Sequence, residues 1–252
     1  AIFYTLGITE HICGTENVQN LANLAMLCGQ IGKESSGVNP IRGQNNVQGA
    51  CDMGAMAYAL PGYQKIVDPA VREKFESLWG ALLPTNKGGT VTDFVERAGE
   101  GVLKAFYCVG EDPVRSEPNT TQVIANLEQV DFIVCQDIFM SETAKLADVI
   151  LPAACYAEKD GTFTNTERRV QRVRKAVDPP GQARADWQIM CDISTAMGYP
   201  MCYEHPGEIW DELASGAPIS ITSPAPKFSI STTIPSTSPA VETHGRPIRS
   251  AW

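Results

Sequence analysis

Gly37-Val38-Asn39-Pro40-Ile41-Arg42-Gly43-Gln44-Asn45-Asn46-Val47-Gln48-Gly49-Ala50-Cys51-Asp52-Met53-Gly54 concentrates more hydrogen-bonding groups than any other stretch of the chain. Arg42 is its single charged donor. The glycines at 37, 43, 49 and 54 let backbone amides approach a ligand closely. The carboxamides of Asn39, Gln44, Asn45, Asn46 and Gln48 both donate and accept. Such a loop suits a small polar anion, or a heterocycle whose edge mixes donors and acceptors. Read from its residues alone, it also suits an ordered Asn/Gly-rich connection whose amides satisfy their own backbone.

Upstream, Tyr4-Thr5-Leu6-Gly7-Ile8-Thr9 reads as a short strand, and Glu10 to Gly14 as a polar turn. Thr15 is placed to cap a helix in which Val18, Leu21, Ala22, Leu24, Ala25 and Cys28 recur at helical spacing. Downstream, Asp68-Pro69 gives a cap followed by proline at the first helical position, and Val71, Phe75, Leu78 and Trp79 form an apolar face. Residues 92–98 read as a shorter helix. From residue 103 the pattern alternates: strand 103–109, helix 119–127, strand 132–135, helix 141–146 and strand 149–151. Short apolar strands between amphipathic helices imply a parallel sheet covered on both faces, a doubly wound, Rossmann-like α/β fold. In such sheets ligands lie beyond the carboxyl ends of the strands, at a switch point. Glu111 and Asp112 follow the first of these strands, and Gln136 and Asp137 end the second. An acidic residue there is as often a cap or turn residue as a ligand contact. No Gly-x-Gly-x-x-Gly follows any strand, so a standard NAD fingerprint is absent. Asp186-Trp187 opens a further helix, with Asp186 as its cap, and residues 206–213 form the last.

The chain has 252 residues, 43% hydrophobic and 19% charged, enough for one sizeable core or two modest ones. A net charge of −9 argues against nucleic-acid or anionic-membrane partners. Its eight cysteines are scattered singly, several inside apolar runs, which reads as core usage in a reducing compartment. None of their spacings suits a zinc or iron–sulfur site. No apolar run approaches the roughly twenty residues of a membrane span, and no signal peptide is visible, so the expected location is cytoplasmic. Residues 216–252 are rich in Ser, Thr and Pro and lack periodicity, which reads as a disordered tail. The first residue, Ala1, suggests a fragment of a longer protein.

Arg42-Gly-Gln-Asn-Asn-Val-Gln-Gly-Ala-Cys-Asp-Met-Gly54 resembles a signature of the catalytic subunit of molybdenum- or tungsten-dependent formate dehydrogenases, within the molybdopterin oxidoreductase superfamily. Further matches are Gly110-Glu111-Asp112-Pro113, residues 136–144, Ala147-Asp148-Val149-Ile150-Leu151-Pro152 and the basic segment 158–172. The resemblance runs from about residue 7 to about residue 213. It implies a bis-molybdopterin guanine dinucleotide cofactor carrying molybdenum or tungsten, and oxidation of formate to carbon dioxide. By this match Arg42 grips the formate carboxylate, a task to which a planar guanidinium is suited. Gln44 is implied as a contact to the pterin or its phosphates, and Gly7 and Thr9 lie against one dinucleotide. Asp112, Ser116, Gln136 and Asp137 are implied contacts to a guanosine end, and Asp186 to a dinucleotide as well. The metal ligand and the cysteines of a [4Fe-4S] cluster do not appear in this segment.

The resemblance divides the chain into residues 1–44, the end of one α/β cofactor-binding domain, and residues 45–215, a second dinucleotide-binding domain containing a basic hairpin at about 157–184. It implies as partners the remaining N- and C-terminal parts of the same subunit and electron-transfer subunits. Two departures stand out: Glu10 replaces a frequent Gln, and Ala153 stands where relatives can carry a hydroxyl. The alternative reading is a non-catalytic relative, such as the large iron–sulfur subunit of NADH dehydrogenase. Arg42 with Gln44-Asn45-Asn46 favours the first, since a scaffold has no need of a formate anchor.

Overall fold

The computed structural model describes residues 1–165 and 169–217. Strand β1 (Ile2–Tyr4) leads into a single helical turn, α1 (Leu6–Thr9), then α2 (Gly14–Leu27) and β2 (Val38–Pro40). The two strands pair in parallel, with Ile2 opposite Val38 and Tyr4 opposite Pro40. The expected strand over residues 4–9 is therefore shifted: pairing ends at Tyr4, and Leu6–Thr9 is helical. The last bond of this edge runs from the Ile41 amide, one residue past Pro40, to the Tyr4 carbonyl, 2.7 Å, and residues 6–9 find no further strand partner among the described residues. Nor does Thr15 cap α2, which starts a residue earlier, at Gly14, without any side-chain cap. A Cβ at Gly14 would lie 2.2 Å from the Thr9 carbonyl oxygen, so only glycine lets α2 start this close to α1.

After the signature loop come α3 (Val47–Asp52) and a small antiparallel pair, β3 (Ala59–Leu60) with β4 (Gln64–Lys65). Helix α4 (Pro69–Trp79) starts as its sequence implies, with the Asp68 carboxylate accepting from the Ala70 amide at 2.9 Å. In α5 (Val91–Gly99) the Thr90 hydroxyl accepts from the Asp93 amide and the Asp93 carboxylate from the Thr90 amide, a reciprocal capping box.

The central sheet is β5 (Ala105–Val109), β6 (Phe132–Asp137) and β7 (Val149–Pro152), parallel and side by side in chain order. Between the first two lie α6 (Pro113–Ser116) and α7 (Thr120–Leu127). The strand order does not reverse within these three strands, so the crevice expected at a switch point is not formed by them. One face, carrying Ile133, is buried under Val95 and Ala98 of α5 and Val123 and Leu127 of α7. The Phe94 ring stacks on Phe106 with centroids 4.7 Å apart. The opposite face meets helix α8 (Asp186–Ala196) only towards the carboxyl ends, where Ile189 lies beside Leu151 and Pro152. Its amino half leaves Phe132, Tyr107 and Val149 exposed. Among the described residues, covering on both faces is thus incomplete.

The expected helix over residues 141–146 is only a 3-10 turn, Ala144–Leu146. Its leading amides are taken by a carboxylate from the neighbouring strand connection: Glu142 and Thr143 donate to Asp112 at 3.2 and 2.9 Å. The basic segment forms the expected hairpin, β8 (Gly161–Thr164) antiparallel to β9 (Val170–Val173); residues 166–168 of that segment lie outside the described part. Helix α9 (Pro206–Gly216) ends the described chain. Gly216 and Ala217, read from sequence as the first residues of a tail, belong to the packed part: Gly216 lies against Phe75 and Leu78, and Ala217 is buried. Residues 218–252 lie outside the described part. Core use of cysteine holds for Cys108, Cys135 and Cys191, whereas Cys13, Cys28 and Cys202 are exposed. No helix among the described residues is long and apolar enough to cross a membrane.

Candidate active site beside Arg42

The parallel pairing of β1 and β2 puts α1 and the loop after Pro40 at the same edge, so Gly7 and Thr9 lie on the same side of the fold as Arg42 and Gln44. Gly43 lies beside Leu6 of α1. A cavity of about 570 Å³ opens there, lined by Asn39, Arg42, Gln44, Asn45, Gln48 and, from the hairpin, Thr164 and Asn165, among others. Arg42 is the one charged side chain among its described lining residues. Arg42, Gln44 and Asn45 are exposed, and no hydrogen bond or ion pair of their side chains is found among the described residues. Other carboxamides of the loop are engaged. Gln48 donates to the Asp52 carboxylate (2.8 Å) and the Tyr63 hydroxyl (3.0 Å). Asn46 bonds to the backbone of Thr162 and Thr164. Gly7 and Thr9 do not line the cavity.

The second group of sequence candidates gathers at the carboxyl ends of β5 and β6. The Gln136 side chain is fully buried and donates to the Asp186 carboxylate at 2.7 Å, while its carbonyl oxygen accepts from the Tyr107 hydroxyl. The other Asp186 oxygen is paired with Lys159. Burial and then the charge of Asp186 raise the Tyr107 pKa, so this hydroxyl stays protonated as a donor. Asp186 is not the cap of α8: it is the first helical residue, Ala185 holds the cap position, and the carboxylate turns to Gln136 and Lys159.

Asp112 accepts from the Thr143 hydroxyl (2.6 Å) and from two amides. Its burial would raise its pKa, but the Thr143 and Glu142 hydrogen bonds and the Arg115 charge outweigh this and hold the carboxyl below its ordinary range. Asp137 accepts from the following amide, Ile138, at 2.6 Å, a local turn contact. Ser116 is exposed at the end of α6.

Sequence reasoning placed these two groups separately and missed what joins them. Lys159, just before β8, holds Asp186; Thr162 and Thr164 within the strand hold Asn46; Thr164 and Asn165 line the Arg42 cavity. A second, more apolar pocket of about 260 Å³ lies at the start of this strand, between Met53, Lys159, Thr162, Asp186 and Trp210. Asn46 stood in the quoted stretch, but nothing in a run of carboxamides says which one turns away from the cavity. Lys159 stands in the basic segment, but nothing local to it points to Asp186 as its partner.

A family model described as molybdopterin oxidoreductase matches residues 1–196. The chain belongs to the molybdopterin oxidoreductase family. Within that family it is 50% identical over 220 residues to the F420-dependent formate dehydrogenase subunit alpha of Methanocaldococcus jannaschii, covering 86% of this chain and 32% of that subunit. It is 48% identical over 214 residues to formate dehydrogenase H of Escherichia coli, covering 84% of this chain and 30% of that protein. The chain thus spans about a third of the length of these molybdopterin oxidoreductases. Among solved structures, acetylene hydratase from Pelobacter acetylenicus superposes with a TM-score of 0.45 at 23% identity, covering 58% of this chain and 22% of that one.

Proposed function

We propose that this chain is the part of a formate dehydrogenase catalytic subunit that holds the substrate carboxylate and one side of the metallopterin. The observation that carries the reading is the unengaged Arg42 guanidinium in a cavity otherwise lined by neutral polar and apolar groups. A guanidinium acting as a structural anchor would be bonded to a backbone carbonyl, and no such bond is found among the described residues. Formate presents two equivalent oxygens, which the planar fork meets with two parallel N–H donors. Neutral surroundings leave that charge available, and the shape of the grip aims the C–H bond away from the arginine.

The donor set fits a pterin dinucleotide. Gln44 and Asn45 each offer an unengaged donor and acceptor towards the mixed edge of a pterin. A Cβ at Gly7 in α1 or at Gly110 after β5 would meet nothing within 4 Å, so open space lies beside both. Asp137 and Ser116, with the remaining acceptor sites of Asp112 and Asp186, would hold the guanosine end, and Gln136, itself fully buried, would orient Asp186 from beneath; Gly7 and Thr9 would lie against a dinucleotide. When bound, the molybdenum or tungsten centre supplies the acceptor for the two electrons released as formate becomes carbon dioxide and a proton. Arg42 orients the substrate, and the strand-tip groups fix the cofactor. In this reading residues 1–44 and 45–215 belong to two cofactor-binding units of the intact subunit.

The test is a chimera in which this chain replaces the matching third of the Methanocaldococcus jannaschii subunit. Arg42→Lys should lower kcat/KM for formate by about tenfold or more, because an ammonium cannot reproduce the bidentate fork. Unchanged formate kinetics would overturn the assignment.

A further inference from the structure

We infer that Asn46 is a positioning residue: its carboxamide latches the loop that carries Arg42 to the free edge of β8 and so sets where the guanidinium stands relative to Thr164 and Asn165. The inference rests on the reading of Arg42 given above. Asn46 occupies the position before the first helical residue of α3, where an asparagine side chain ordinarily accepts from an amide of the first turn. Here it makes no such cap. Instead Nδ2 donates to the Thr162 carbonyl at 3.3 Å and Oδ1 accepts from the Thr164 amide at 2.9 Å. A primary amide has one donor and one acceptor side by side, which matches the carbonyl and amide that residues two apart expose on one strand edge. The side chain thus acts as a one-residue strand, with β9 pairing along the other edge of β8.

Two further features serve the same contact. Asn46 adopts a left-handed backbone, φ 60°, ψ 18°, a conformation that asparagine tolerates better than most residues. Gly49 leaves the space the carboxamide occupies: a Cβ there would lie 2.1 Å from Asn46 Oδ1 and 2.9 Å from its Cγ. Thr164, at the anchored end, is 7% exposed and lines the cavity, so the latch ties the two walls of the cavity together. Because Lys159 before the same strand is paired with Asp186, the hairpin relays that position to the Gln136 cluster.

The test uses Asn46→Gly, which keeps the left-handed backbone and removes only the carboxamide, and Asn46→Asp, which keeps the acceptor for Thr164. In the full chain, hydrogen exchange at the Thr164 amide should quicken by about fivefold or more in Asn46→Gly, with the Ala70 amide, held by Asp68, unchanged. In the chimeric enzyme, Asn46→Gly should raise KM for formate by about tenfold, with Asn46→Asp partly restoring it. Thr164 protection unchanged in Asn46→Gly overturns the latch. Quickened exchange with an unchanged KM overturns the positioning role. If Arg42→Lys proves silent, the reading of Arg42 fails by itself, whereas the exchange result still decides the latch. Should Asn46→Gly fail to fold, Asn46→Asp carries the test alone: loss of the Thr162 contact must still raise KM, and an unchanged KM overturns the inference.

Discussion

The Asp112 carboxylate holds Thr143 twice, accepting from its amide at 2.9 Å and from its hydroxyl at 2.6 Å, and thereby ties the end of β5 to the connection after β6. Thr143 is fully buried, and its hydroxyl also accepts from the Val114 amide at 3.2 Å. One carboxylate therefore closes the carboxyl side of the sheet on which the proposed guanosine contacts sit. Asp112→Asn should destabilise the chain by about 1–3 kcal/mol at neutral pH, read from denaturant unfolding. The Asp112 pKa is lowered in the folded chain because its hydrogen bonds and the Arg115 charge outweigh its burial. Its stabilisation is therefore present above the unfolded carboxyl pKa of about 3.9 and is lost as pH falls through the lower folded value. The gap between Asp112→Asn and the unsubstituted chain should accordingly narrow below about pH 4; a gap that persists at low pH would show that the charge is not involved.

At the start of α5, Thr90 and Asp93 cap each other reciprocally, with the Thr90 amide donating to Asp93 at 2.7 Å. This helix carries Val95 and Ala98 into the core over β6. Thr90→Ala should cost about 1 kcal/mol of stability. An unchanged unfolding midpoint would mean that the cap does not contribute.

Gly49→Ala and Gly7→Ala separate steric requirement from mere glycine content. A Cβ at Gly49 collides with the Asn46 carboxamide, whereas one at Gly7 meets nothing within 4 Å. The first substitution should destabilise by about 1–3 kcal/mol, and the second should be within about 0.5 kcal/mol. Equal effects in thermal unfolding would refute this account of the loop.

Cys108 is buried beside Cys135 in the adjacent strand, and its thiol donates to the Glu111 carbonyl at 3.1 Å. Burial is the main cause pushing its pKa up to about 12, so at pH 8 it is almost wholly protonated and a poor nucleophile. Cys13, Cys28 and Cys202 are exposed. Timed alkylation followed by peptide mass spectrometry should label these three first and Cys108 and Cys135 last in the folded chain; Cys108 labelling at the rate of the exposed thiols would contradict its placement.

How much of this was legible depended on whether the signal was local. The Asp68-Pro69 start of α4, the helix near residues 92–98 and the three parallel strands follow from caps and apolar runs, and all appear. The strand expected at residues 4–9 and the helix at 141–146 failed for non-local reasons. β2 stops at Pro40 and leaves residues 6–9 without a strand partner among the described residues, and the pairing of the Asp148 amide with the Ile133 carbonyl brings the chain into β7 directly after a single 3-10 turn. The Arg42 loop stood out by composition. Its partner wall did not, because the contact from Asn46 to Thr164 spans 118 residues and involves only backbone on the far side. The capping role read for Asp186 gave way to Lys159 and Gln136, partners that tertiary packing alone supplies.

The most direct measurement is a crystal structure of the chimeric subunit with formate bound. The account predicts both formate oxygens within about 3 Å of the Arg42 guanidinium nitrogens, inside the cavity walled by Gln44, Asn45 and Thr164. Formate bound elsewhere, with Arg42 turned into a backbone carbonyl, would contradict it.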